Sequence, residues 1–143
     1  MDMSRTPSIF DRFDPPPSAK LLGWTLRHID PNAGTIEIGF TADERFTNPG
    51  DTVQGGFLGA MLDDTQGPAL FGHTHGEAYA PTIDFTISFL KEARPGQFVA
   101  RGRVVRMGKT IAFTEAELFD EAGDLVARGS FTSRLVASLP MEA

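Results

Sequence analysis

The pattern of apolar and polar positions divides the chain into one apolar helix and a series of alternating strands. Phe57, Leu58, Ala60, Met61 and Leu62 follow one another with no polar face between them. A helix that is apolar on every side is typically buried by the rest of the protein. From residue 81 onward the period changes to two, as a strand with one buried face requires. The apolar positions of that strand are Ile83, Phe85, Ile87 and Phe89.

Turn-forming residues separate the predicted strands from one another. Residues 21–29 and 35–41 are predicted strands that flank the turn sequence DPNAG, and both precede the helix. The strand that begins at residue 81 is followed by three more. They are residues 98–106, 110–119 and 125–136. Four consecutive strands at this spacing predict an antiparallel meander. The chain is therefore predicted to be α+β, with an antiparallel sheet of five to six strands wrapped around one long central helix.

The remaining segments are predicted to be short and peripheral. Residues 1–18 form an N-terminal lead-in with a short helix and a stretch of three prolines, residues 19–137 form a single domain, and residues 138–143 form a tail. Residues 72–80 are predicted to be a loop. Pro68 lacks the N–H that would bond to the carbonyl of Asp64, so we expect a kink or a weakened last turn there.

Two features of the helix suggest chemistry. Asp63 and Asp64 interrupt the apolar run and lie about 100° apart on a helix, so both cannot easily face water. Either one faces water and the other caps a loop, or one lies in a cleft and takes part in a reaction. Gly55 and Gly56 at the helix start either form a plain turn or let a ligand reach the free N–H groups there.

The spacing of these two features sets a geometric condition. Gly55 and Asp63 are eight residues apart, or about 12 Å along one helix. An N–H donor at Gly55 and a base at Asp63 of the same chain cannot both reach one carbonyl group. Two antiparallel copies of the helix would bring each Gly55 close to the Asp63 of the other copy. An active site built from these residues therefore requires a dimer.

Composition narrows the possible function classes. The chain has 143 residues, no cysteine and a formal net charge of −6. The lack of cysteine excludes disulfides and a thiol nucleophile, and the negative charge argues against general nucleic-acid binding. No apolar run is long enough to span a membrane, and the first ten residues lack the apolar centre of a signal peptide. We expect a cytoplasmic protein with no nucleic-acid or membrane partner.

Positive charge is concentrated in one part of the chain. Six of the thirteen basic residues fall between residues 91 and 109, where Glu92 is the only acid. They are Lys91, Arg94, Arg101, Arg103, Arg106 and Lys109. This segment is either a solvated strand face or a local patch for an anionic group carried by a small molecule.

The spacing of several residues resembles that of a known enzyme family. Asn48 lies six positions before the Gln54-Gly55-Gly56 sequence, Asp63 lies nine positions after Gln54, and Thr82 opens the strand TIDFTISFL. The segment VVRMGKTIAFTEAELFDEAGDLVARGSFT is similar to the last three strands of the family. Residues 35–135 thus resemble the hotdog-fold thioesterases, and specifically the PaaI-like acyl-CoA thioesterases.

The resemblance implies hydrolysis of acyl-CoA thioesters at a site shared by two subunits. In this interpretation the Gly55 N–H polarises the thioester carbonyl, Asp63 acts as base or nucleophile, and Asn48 and Thr82 orient the reacting groups. Gly56, Arg106, Gly108 and Lys109 are the predicted substrate-binding residues. The resemblance also implies a homodimer that pairs further into a homotetramer, with no metal or other cofactor.

One position departs from the family pattern. The family has a histidine where this chain has Gln54, which can form hydrogen bonds but cannot titrate or carry charge. If the histidine mainly supplies a hydrogen bond, Gln54 preserves activity. If its charge matters, the alternative is a non-catalytic acyl-CoA-binding or regulatory protein. A third possibility, an acyl-thioester dehydratase, fits less well because that chemistry pairs a histidine with the acid.

Overall fold

The computed structural model describes residues 6–138, which form two α-helices and eight strands. Two short 3₁₀ turns, Ile9–Arg12 and Glu44–Phe46, lie beside these elements. The helices are α1 (Pro17–Leu21) and α2 (Gly55–His73). The strands are β1 (Thr25–Asp30), β2 (Thr35–Ala42), β3 (Ala78–Tyr79), β4 (Thr82–Phe89), β5 (Gly96–Met107), β6 (Ile111–Phe119), β7 (Leu125–Arg134) and β8 (Val136–Ala137).

One antiparallel sheet of six strands packs against α2. Its strand order is β1-β2-β5-β6-β7-β4, and β3 and β8 form a separate two-stranded pair. The inward side chains of the sheet and the buried positions of α2 build one core, in which Ile38, Phe40, Met61 and Leu62 are fully buried. The predicted α+β class, with five to six strands and one long helix, is confirmed.

The path of the sheet differs from the predicted four-strand meander. β5, β6 and β7 form a meander, but β4 pairs with β7 and not with β5, so β4 lies at the edge of the sheet. Residues 90–95 cross over two strands to connect them. The Val53 N–H donates to the Ala93 carbonyl (2.8 Å) and the Leu90 N–H to the Val126 carbonyl (2.8 Å), which fixes this crossing. The prediction was wrong because a hairpin-like spacing does not identify the partner of a strand.

β4 contains a bulge that changes the direction of Thr82. Thr82 pairs with Ser133 and Asp84 with the next residue, Thr132, so Ile83 is the extra residue. Thr82 and Phe85 therefore lie on the same side of the sheet, although they are three positions apart. A bulge of this kind redirects a side chain and often lies beside an active site.

The apolar side chains of β4 are more exposed than the alternating pattern predicted. Ile83 is 56% exposed and Phe85 and Phe89 are each 52% exposed, while Ile87 is half-buried against α2. Since Phe85 also contacts the buried ring of Phe131 (5.6 Å between ring centres), it lies on the helix side of the sheet. An apolar edge strand that is open on this side is a surface suited to another protein chain.

Pro68 does not end the helix. α2 continues to His73, and the carbonyl of Asp64, which Pro68 cannot pair, accepts a hydrogen bond from the indole Nε1–H of Trp24 (3.0 Å). A side chain from outside the helix thus replaces the missing backbone donor. The predicted loop at residues 72–80 was also too long, because α2 extends into it and Ala78–Tyr79 forms β3.

The N-terminal part of the chain packs against the helix. The predicted strand at residues 21–29 begins only at Thr25, because Pro17 starts a short helix that includes Leu21. The ring of Phe10 lies 5.6 Å from the rings of both Trp24 and Phe71. This aromatic group places the lead-in beside the second half of α2. The predicted tail overlaps the described chain only at Ser138, and residues 139–143 lie outside it.

Candidate active site

Asp63 is held by hydrogen bonds from two side chains. Its Oδ1 atom accepts from the Thr82 hydroxyl (2.6 Å) and from the Gln66 Nε2 (2.9 Å). Within residues 6–138 no donor bonds to the other oxygen, Oδ2. Two donors on one oxygen fix the carboxylate plane and leave Oδ2 available to a water or a substrate.

Gln66 is a site residue that the sequence analysis missed. Its side chain is 1% exposed, and its Nε2 also donates to the Thr82 hydroxyl oxygen (3.1 Å). Its Oε1 accepts from Thr114 on β6 (2.7 Å) and has a longer contact with Ser133 on β7 (3.5 Å). The available signal was a polar amide three residues after the candidate acid, a spacing at which helical side chains meet.

Asp64 lies in a different environment from its neighbour. Burial raises the pKa of the Asp64 carboxyl to about 7, and the nearby charge of Asp63 contributes to the increase. Its Oδ2 atom is buried and has no hydrogen-bond partner among the described residues. Asp64 is therefore a carboxyl group whose charged form is poorly stabilised.

Both carboxylates line a groove between α2 and the N-terminal segment. The groove has a volume of about 730 Å³, and its walls are mainly apolar and aromatic. Its aromatic wall consists of Phe10, Phe13, Trp24, Phe71 and Tyr79. Thr82 and Gln66 also line it, so the groove leads directly to the hydrogen-bonded carboxylate. Its size and apolar character suit the apolar part of a small ligand.

The start of α2 carries free backbone donors. Gln54 is the N-cap residue, and its exposed side chain makes no capping hydrogen bond. No acceptor among the described residues bonds to the N–H groups of Gly55 and Gly56. The Phe89 ring covers Gly55, where an added Cβ would approach the ring to 3.1 Å, whereas a Cβ at Gly56 would meet nothing within 4 Å. These N–H groups can therefore donate hydrogen bonds to a ligand oxygen.

The structure brings only some of the predicted site residues together. Asp63 and Thr82 are in contact, and Gly55 lies two turns away, beside Phe89 at the other end of β4. The Asn48 side chain closes its own loop: Oδ1 accepts from the Gly50 N–H (2.9 Å), and Nδ2 donates to the Thr52 hydroxyl (3.0 Å). Within one subunit, Asn48 therefore shapes the loop before the helix and does not contact Asp63.

Half of the basic segment is paired with acidic side chains from other parts of the chain. Three of its six members form ion pairs with acids that are distant in sequence. The pairs are Lys91 with Asp120 and Asp124, Arg101 with Glu37, and Arg103 with Glu115. Such exposed pairs contribute little to stability, but they leave fewer charges for a ligand.

The predicted phosphate-binding turn remains free of ion pairs. Arg106 and Lys109 are exposed and have no salt bridge in the described part of the chain, and the turn at Gly108 closes with a bond to Ile111 (2.8 Å). Gly34 contacts both Val104 and His73, so the turn lies near the C-terminal end of α2. In one subunit it is therefore far from Gly55.

Residues 6–138 contain no group of three or more His, Cys, Asp or Glu side chains arranged to hold a metal ion. None of the helices formed by these residues has the length and apolar character needed to cross a bilayer.

Comparison with known proteins identifies the family. The sequence profile described as "Thioesterase superfamily" matches residues 50–127, which include the helix and strands β4, β5 and β6. Human acyl-coenzyme A thioesterase 13 is 31% identical over 104 residues, which cover 71% of this chain and 74% of that protein. The chain belongs to the thioesterase superfamily. The predicted enzyme class, thioester hydrolase, is thereby confirmed at the level of the family.

Solved structures agree with this assignment. A phenylacetic acid degradation-related protein from Ralstonia eutropha has a TM-score of 0.83 and 33% identity, covering 88% of this chain and 95% of that one. A Streptococcus mutans protein bound to acetyl CoA has a TM-score of 0.70 and 17% identity, covering 80% and 90%. The second match shows the fold alone. The predicted PaaI-like hotdog architecture of this thioesterase is confirmed.

Proposed function

We propose that this thioesterase hydrolyses acyl-CoA thioesters at a site that two subunits share. The observation that carries the proposal is the Asp63 carboxylate, which is fixed by two donors at Oδ1 and lines an apolar groove. The human relative is named an acyl-coenzyme A thioesterase, which supports this substrate class.

The reaction follows from the charges and donors at the two ends of the site. Asp63 Oδ2 removes a proton from water, and the water oxygen attacks the thioester carbonyl carbon. The Gly55 N–H at the positive end of α2 donates to the carbonyl oxygen as negative charge develops there. The tetrahedral intermediate then breaks its C–S bond, and the leaving CoA thiolate takes up the proton that Asp63 removed from water, which restores the carboxylate. Direct attack by Asp63 on the carbonyl carbon is the alternative first step.

The geometry of one subunit supports the dimer. Gly55 and Asp63 are separated by about 12 Å of helix, and β4 presents half-exposed Ile83, Phe85 and Phe89 on an unpaired edge. A second copy that pairs along β4 and runs antiparallel covers these side chains. It also brings its own Asp63 toward Gly55 of the first copy. The interface is isologous, because the same strand meets itself across a two-fold axis.

The groove and the basic turn receive the two parts of the substrate. The acyl group enters the groove beside Asp63, where its apolar surface contacts the aromatic side chains. The second subunit's turn at Gly108 then comes close to the first subunit's Gly55, where Arg106 and Lys109 bind CoA phosphates. Gln54 and Gly56 contact the substrate at the helix start, and Asn48 holds the preceding loop. We propose further pairing into a tetramer and a cytoplasmic location.

The first test is a hydrolysis screen over short, long, branched and aryl acyl-CoAs, with released thiol as the readout. We expect turnover of at least one class, and gel filtration with light scattering should give a dimer or a tetramer. Saturable acyl-CoA binding without thiol release across the panel would instead favour the non-catalytic alternative. The observation behind that alternative is Gln54, an uncharged residue where the family has histidine.

A mixing experiment tests the shared site directly. Gly55→Val introduces a side chain against Phe89 at the helix start, and Asp63→Asn removes the base, so each variant alone should lose activity. A mixed dimer keeps one intact Gly55 facing one intact Asp63. Unfolding and refolding the two variants together should restore about a quarter of the wild-type rate, since half of the dimers are mixed and each has one working site. No recovery from properly refolded dimers would exclude a shared site.

A further inference from the structure

The buried Gln66 amide uses all of its hydrogen-bonding positions. Its amide donates two hydrogen bonds, to Asp63 and to Thr82, and its carbonyl oxygen accepts from Thr114 with a second contact from Ser133. Both donors and both acceptor positions of the amide are therefore used. Gln66 thus links the carboxylate on α2 to the middle of the sheet.

These contacts leave the amide a single orientation. An ionised carboxylate only accepts hydrogen bonds, so the NH₂ group must face Asp63. The Thr114 hydroxyl, at 2.7 Å, donates to the opposite side of the amide and opposes a flip. Since Nε2 also donates to the Thr82 oxygen, the Thr82 proton is directed to Asp63. Thr114 therefore orients Gln66, and Gln66 both donates to Oδ1 itself and orients the Thr82 hydroxyl that donates to the same oxygen.

We propose that Gln66, with its orientation fixed by Thr114, is a positioning residue that directs the free Oδ2 of Asp63 toward the substrate. This role rests on the proposed thioester hydrolysis by Asp63. Gln66 does not touch the reacting atoms itself. Without it, the carboxylate keeps only the Thr82 donor and can rotate about its side-chain bonds. Small displacements of a reacting group are costly, because catalysis depends on its alignment.

The main test compares Gln66→Leu with a matched control. Gln66→Leu keeps a similar volume but removes the donor, and we expect kcat to fall roughly 10- to 100-fold with little change in KM. Gln97→Leu makes the same substitution at an exposed position on β5 and should keep wild-type kinetics. Both kcat and KM are measured with the acyl-CoA that the wild-type protein hydrolyses fastest, and thermal unfolding confirms that the variants are folded.

Thr114 variants distinguish positioning from packing. Thr114→Val keeps the shape of the side chain but removes the donor that fixes the amide, so kcat should fall, whereas Thr114→Ser should retain it. The double variant with Gln66→Leu should be no slower than Gln66→Leu alone, because both act through one chain of bonds. If Gln66→Leu does not fold, the contrast between Thr114→Val and Thr114→Ser still decides the question.

The possible outcomes separate this role from the proposed function. If the Gln66→Leu variant keeps the wild-type kcat, the positioning role is overturned and the proposed function stands. Equal rates of the Thr114→Val and Thr114→Ser variants would have the same meaning. Rate losses that multiply in the double variant also contradict it. An absence of turnover by the wild-type chain on every acyl-CoA overturns the proposed function and this role with it.

Discussion

Two adjacent carboxylates of α2, Asp63 and Asp64, differ in the hydrogen-bond donors around them. On the β4 side, Asp63 receives two side-chain donors on one oxygen. One residue later, Asp64 has a buried oxygen with no donor among the described residues, and burial raises its pKa to about 7. Both line the same groove. Neighbouring acids on one helix can thus differ in whether a charge on them would be compensated, according to the side-chain donors within reach.

The largest expected difference between the two acids is in turnover. Asp63→Asn removes the proposed base and should lower kcat by about 10²–10⁴-fold. Asp64→Asn keeps the shape of the groove and should retain most of the turnover. Thiol release by both purified variants measures the contrast. Equal losses of kcat in the two variants would contradict the assignment of Asp63 alone as the base.

The second difference is in the pH dependence of stability. The pKa of Asp64 is about 7 in the folded protein and near its ordinary value of 3.8 in the unfolded chain. The unfolded state therefore loses this proton first as pH rises, so Asp64 destabilises the fold progressively between about pH 4 and pH 7. Asp64→Asn should increase the free energy of unfolding by about 1–3 kcal/mol at pH 8.

The same Asp64→Asn variant should differ much less from wild type near pH 4, where the folded protein keeps the proton and only about half of the unfolded chains have lost it. Urea unfolding of the two proteins at both pH values measures this difference. A stabilisation that is equal at pH 4 and pH 8 would contradict the explanation by burial of charge.

A smaller effect concerns the donors of Asp63. Thr82→Val removes one of the two hydrogen bonds to Oδ1 while keeping the shape of the side chain, and kcat should fall about tenfold. Thr82→Ser retains the hydroxyl and should retain the rate. The comparison of kcat for the two variants measures the contribution of this donor. Similar rates would show that one donor is enough to hold Asp63.

The smallest effect concerns the backbone on the Asp64 side. Trp24→Phe removes the only described donor to the Asp64 carbonyl, and we expect a loss of about 1–2 kcal/mol in the free energy of unfolding. Pro68→Ala supplies a backbone N–H at the position that can replace it. The double variant should therefore recover stability relative to Trp24→Phe in urea unfolding. No recovery would attribute the loss to packing of the indole ring.

The sequence predicted the elements of the fold better than their connections. The apolar helix and the alternating strands follow from local periodicity. The edge position of β4 does not, because it depends on where residues 90–95 cross and on contacts such as that between Val53 and Ala93. The bulge at Ile83 was equally hidden, since a period of two gives no sign of an extra residue.

The candidate site was predictable only in part, for a related reason. Spacing and family resemblance indicated Asp63 and Thr82. The role of Gln66 depends on Thr114, which is 48 residues away in sequence and meets it only through packing of the sheet on the helix. The pairing of Arg101 and Arg103 in the basic segment was equally hidden, because their acidic partners Glu37 and Glu115 lie on neighbouring strands.

The extra residue in β4 has a consequence for anyone who redesigns this enzyme. The Thr82 hydroxyl faces the helix only while Ile83 stays outside the regular pairing of β4 with β7. If the strand straightened and Ile83 paired with Ser133, the hydroxyl would turn to the outer surface while the rest of the strand keeps its place. Libraries built on this scaffold should therefore avoid changes that straighten this bulge.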